Sequence, residues 1–107
     1  MSCVQFFVRK AGRYTMKVKV RFFARFRELI GNETTAEIAE GTTLPDVVKQ
    51  VAGKNREGYD AIFDESGRFR EFVILMRNAR RVDIADAVNQ IVADGDDIAV
   101  FPPVAGG

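Results

Sequence analysis

Histidine does not occur among the 107 residues, and cysteine occurs once, at Cys3. Without a histidine, and with no cysteine in the body of the chain, neither a Ser-His nor a Cys-His nucleophile pair can be assembled. An internal disulfide is impossible, and a zinc site would need carboxylates alone. Cys3 has no neighbour placed to lower its pKa and reads as an incidental thiol. Long apolar runs are missing too: none approaches the ~20 residues that span a bilayer, and Val4 to Val8 is too short for a secretory core. Charge of one sign is scarce, because 16 Lys and Arg face 15 Asp and Glu for a net of +1. That balance argues against a general nucleic-acid or membrane binder. Arg9, Lys10 and Arg13 put three positive charges in the leader, which leaves the remainder mildly acidic at −2. Together these absences argue against self-contained catalysis and fit an intracellular, reducing, cytoplasmic setting.

What is present suits one soluble domain, with 47% hydrophobic and 29% charged residues in a chain long enough to bury a core. Residues 1–15 are the least committed: Val4 to Val8 has strand propensity, but Arg9, Lys10 and Gly12 interrupt it, so a poorly ordered extension is expected. Lys17 to Phe22 alternates polar and apolar, which predicts a strand with Val18, Val20 and Phe22 inward. The same parity places Phe23 with Lys19 and Arg21 on the other face. Phe26, Leu29 and Ile30 predict one helical turn stopped at Gly31-Asn32, and Glu33 to Glu40 an antiparallel return strand. Thr43 is an N-cap with Asp46 three residues on, and Leu44, Val47, Val48 and Val51 form one apolar stripe up to Gly53. Lys54 to Gly58 reads as a polar, mobile connection, Ala61 to Phe63 as a return to the core, and Glu65-Ser66-Gly67 as a turn. Phe72 to Met76 predicts a central strand, Arg77 to Arg80 a turn with Asn78 in the left-handed region, and Val82 with Ile84 a resumed short pairing. Ala85 to Ala93 is expected to be a weakly helical or irregular crossover.

The ending, DGDDIAVFPPVAGG, orders the rest. Asp94-Gly95-Asp96 is a turn, Ile98 to Phe101 a short strand, and Pro102-Pro103 cannot donate ladder hydrogen bonds, so the strand must stop there. Residues 104–107 have too little apolar surface to fold back, and a flexible tail is expected. Gly107 offers a carbonyl with no Cβ to crowd a nucleophile, and Gly106 lets the backbone thread a narrow channel. From Pro103 to Gly107 the extended reach is at most about 17 Å, enough to enter a partner's active site. A terminal Gly-Gly alone also suits a frayed end. The strand and the prolines before it separate the two readings.

DGDDIAVFPPVAGG, with RFFARFRELIG and the Asn78 turn followed by Val82, resembles the molybdopterin-synthase small subunits, thiamine sulfur carriers and small archaeal modifier proteins over about residues 16–107. These are ubiquitin-like proteins. The resemblance implies an α+β fold, a β-grasp mixed sheet with one main helix across one face, spanning 16–103 with a tail at 104–107. It further implies that the Gly107 carboxylate, threaded by Gly106, is adenylated by an E1-like enzyme using that enzyme's ATP and magnesium, no cofactor or metal being held by the chain itself. The product would serve as a thiocarboxylate sulfur donor, as the small subunit of a molybdopterin-synthase-like complex, or would be attacked by a lysine of a target protein. Phe23 and Phe101 match the phenylalanines that dock the activating enzyme and the synthase large subunit, with Pro102, Pro103, Val104 and Ala105 leading into the partner. A third apolar position of that patch matches Arg81 here, a departure that makes the patch more basic. The alternative is a non-covalent β-grasp interaction module working through its exposed sheet face.

Overall fold

The computed structural model describes residues 15–103. The leader with Cys3, and Val104, Ala105, Gly106 and Gly107, lie outside the described residues. Within them run β1 (Thr15–Phe22), α1 (Arg25–Ile30), β2 (Glu33–Ala39), α2 (Leu44–Ala52), α3 (Arg56–Ile62), β3 (Ile74–Arg77), β4 (Arg80–Val82), α4 (Ile84–Ala87) and β5 (Asp97–Phe101). The five strands form one mixed sheet in the order β2-β1-β5-β3-β4. β5 lies between β1 and β3, parallel to the first with Phe22 opposite Val100, and antiparallel to the second with Leu75 opposite Val100. A parallel neighbour cannot be reached by a hairpin, so the chain crosses over the sheet between β1 and β5, and α2 is the main cover.

The alternation in β1 does what its period requires: Val18, Val20 and Phe22 are fully buried, and Ile98, Val100 and Leu75 join them from the neighbouring strands. Against this face lies the stripe of α2, with Leu44, Val47 and Val48 fully buried and Val51 nearly so. Burying each such side chain contributes about 1.5–3 kcal/mol before entropy is charged against it. The Thr43 hydroxyl accepts the Asp46 N–H at 3.4 Å, and Gly53 closes the helix.

Four expectations change. α1 runs six residues rather than a single turn. Lys54 to Gly58 is not a mobile connection: Asn55 caps α3 by accepting the Gly58 N–H at 2.8 Å, and its polar residues are the solvent side of a short helix. Ile84 begins α4 instead of pairing as a strand, because Asp83 supplies a helix entry after Val82. Phe72 and Val73 precede β3, which starts only at Ile74. The β3–β4 turn stands as expected at Asn78, with φ of 52°, and Ala79 follows at 70°. The Asn78 side chain ties this tip to the start of β5, accepting the Asp97 N–H at 2.9 Å and donating to Asp96 at 3.0 Å.

Candidate docking groove at the root of the tail

The face of the sheet turned away from α2 carries the alternate residues. In register across it run Arg21 of β1, Ala99 of β5, Met76 of β3 and Arg81 of β4. One step further, Phe101 lies opposite Ile74. Phe23, just past β1, continues the parallel ladder by donating its N–H to the Val100 carbonyl at 3.2 Å. The Phe23 and Phe101 rings therefore meet, stacked with centroids 4.2 Å apart and planes 8° from parallel. Both are half-buried.

Beside the rings opens a groove of about 880 Å³, walled by Phe72, Ile74, Met76, Phe101, Pro102 and Pro103, with Phe23 to Phe26 along one side. Phe72 is 47% exposed, a large apolar ring offered to solvent at the groove. Ala24, also in the wall, has φ of 54°, a conformation that costs a non-glycine residue about 1–3 kcal/mol and that here turns the chain sharply from the ring into α1. The lining residues include Arg25 and Arg70 and no carboxylate. An apolar trough with only cationic side chains among its charged walls fits a protein surface whose apolar knob is flanked by acid.

At the opposite end of β5, polar contacts tie its start to the β3–β4 turn. Burial opposes the charge of Asp96, but the Ala93 N–H, Asn78 and the Arg77 guanidinium all donate to it, and the net effect holds its carboxyl below the usual range. Asp64, at the turn after α3, is also held low, chiefly by the Arg68 N–H at 3.1 Å. Among the described residues no cluster of three or more metal-capable side chains exists.

Phe23, Phe101, Pro102 and Pro103 are thus gathered at one groove. Arg81 shares the face but pairs with Met76 on the edge strand and is not in the groove wall. The cation standing by the ring pair is instead Arg21, whose guanidinium carbon lies 5.6 Å from the Phe23 centroid. Val104, Ala105, Gly106 and Gly107 are outside the described residues. Sequence reasoning missed Phe72, Ile74 and Met76 as site residues, although their period-two spacing was the available signal for a second apolar face.

The sequence profile of the ThiS family matches residues 20–107. The chain belongs to the ThiS family. It is 33% identical over 93 residues to small archaeal modifier protein 3 of Haloferax volcanii, an alignment covering 86% of this chain and 100% of that one. It is 31% identical over 97 residues to the molybdopterin synthase sulfur carrier subunit of Escherichia coli, covering 84% and 99%. Its fold matches the solution structure of the Haloferax volcanii HVO 2177 protein with a TM-score of 0.75 at 32% identity, over 88% of this chain and 89% of that one. This ThiS family member is a ubiquitin-like β-grasp protein, with relatives named both as sulfur carriers and as modifiers.

Proposed function

We propose that this chain is a ubiquitin-like carrier whose Gly107 carboxylate is adenylated by an E1-like enzyme in the cytoplasm, the ATP and magnesium belonging to that enzyme. An α-carboxylate is an anion at neutral pH and a poor electrophile, so activation must precede any transfer. Attack of the carboxylate on the α-phosphate of ATP gives an acyl adenylate and releases pyrophosphate. Hydrosulfide then displaces AMP to leave a thiocarboxylate, or a lysine amine of a target displaces it to leave an isopeptide bond. The thiocarboxylate form would supply a molybdopterin-synthase-like large subunit.

The observation that carries this reading is the position of the groove, which lies at the root of the Pro102-Pro103-Val104-Ala105-Gly106-Gly107 segment. A partner seated on the groove holds the globule while the narrow segment reaches into its active site. The groove would equally serve a non-covalent module, and deletion of Gly106-Gly107 separates the two. With the E1-like enzyme of the same organism, the deleted chain should still bind but support no ATP–pyrophosphate exchange. Exchange at the full rate after the deletion would refute the carrier reading.

A further inference from the structure

The outer face holds a relay of contacts that ends at Phe101. Asp97 Oδ1 accepts the Arg21 Nε–H at 3.0 Å, the Arg21 guanidinium lies over the Phe23 ring at 5.6 Å, and Phe23 stacks on Phe101 at 4.2 Å. Phe101 is followed directly by Pro102, whose φ is fixed by its ring. The backbone beneath is already set by the register of β1 on β5 and by the Phe23 N–H to Val100 bond. What the relay adds is the orientation of two half-buried rings. The Arg21 and Asp97 side chains are 39% and 35% exposed, so their ion pair contributes little to stability. A guanidinium pinned on one edge and laid over an aromatic face does, however, restrict that ring's rotamers.

The geometry points to Arg21, held by Asp97, as a positioning residue for docking on the activating enzyme: it keeps Phe23 stacked on Phe101 and so fixes the ring pair that the groove presents. This rests on the carrier reading above. Charge near the groove is not enough for the role. Lys19, on the same face and pairing with Glu33 at 3.9 Å, supplies a cation that lies over no ring among the described residues.

The test uses the full chain, its E1-like enzyme and ATP–pyrophosphate exchange, with NMR of the aromatic protons as an independent readout. Arg21→Met retains most of the stem and removes the guanidinium. It should raise KM for the carrier about tenfold, the order expected when an aromatic docking anchor is misplaced, while kcat changes little. The upfield ring-current shifts of Phe23 and Phe101 should diminish in the same variant. Arg21→Lys should recover part of both effects, and Lys19→Met should leave both at the wild-type values. Unchanged KM, or unchanged ring shifts, in Arg21→Met would overturn the inference. So would a fall in kcat alone, which would place the effect on the chemical step. A wild-type chain that supports no exchange sinks the carrier reading and this inference together, whereas normal exchange in both wild type and variant sinks this inference alone.

Discussion

At the scale of single residues, the two rings and one buried carboxylate do different work, and substitution separates them. Phe23→Ala and Phe101→Ala remove half-buried rings whose stack contributes about 0.5–1.5 kcal/mol beyond their area. Their larger effect should fall on partner affinity, a loss of about 1–3 kcal/mol each, as for aromatic anchors in a docking pocket. Val20→Ala should do the reverse, costing about 1–3 kcal/mol of stability and sparing the groove. Denaturation curves alongside titration calorimetry against the activating enzyme check both, and equal damage to stability from Phe23→Ala and Val20→Ala would contradict the assignment. Asp96 belongs to the fold. Its carboxyl is held below the usual range, so the stability it contributes is full above that range and is lost as pH falls through the lower folded value. Asp96→Asn should therefore lower stability by about 1–3 kcal/mol at neutral pH and flatten the acid limb of the stability curve, measured by urea midpoints at several pH values.

At the scale of elements, the strands and the main helix were legible because their apolar periods are long enough to be unambiguous. β1 announces itself by strict alternation, and α2 by a cap, a four-residue stripe and a closing glycine. α3 was illegible because its seven residues carry few apolar side chains, and the reason it packs is an absence of side chain. A Cβ built on Gly58 would stand 2.4 Å from Ile30 Cγ1, so α3 approaches α1 at a point where any larger residue would require the Ile30 side chain to move. The groove was half legible. Phe23 and Phe101 show by parity and by resemblance, but Phe72 stands before its strand, and parity put Arg21 on the face of Phe23 without the Asp97 contact that pins it. Gly58→Ala tests the element contact. The clash should outweigh the gain in helix propensity, for a net loss of about 1–2 kcal/mol, and should shift the NMR signals of Phe26 and Ala24 in the groove wall. A stability increase with no change at the groove would show that α1 and α3 are not closely apposed.

At the scale of the whole molecule, a β-grasp sheet turns one face to a packed helix and leaves the other to a partner, and the central β5 delivers the chain to the edge of that second face. The architecture divides labour: α2 and its stripe hold the sheet, the sheet aligns the rings, and the rings stand beside Pro102 and Pro103. No helix of the described residues is long and apolar enough to cross a membrane, and no described cluster offers a metal. In the proposed reading the chemistry at Gly107 draws on an activating enzyme, because an α-carboxylate is a poor electrophile until it is activated. The most direct measurement is the mass of the C-terminal peptide of the protein isolated from its own cells. The account predicts a fraction in which one carboxylate oxygen of Gly107 is replaced by sulfur, or in which Gly107 is joined to a lysine of another protein. A C-terminal peptide carrying only the unmodified carboxylate, from cells in which the E1-like enzyme is active, would contradict it.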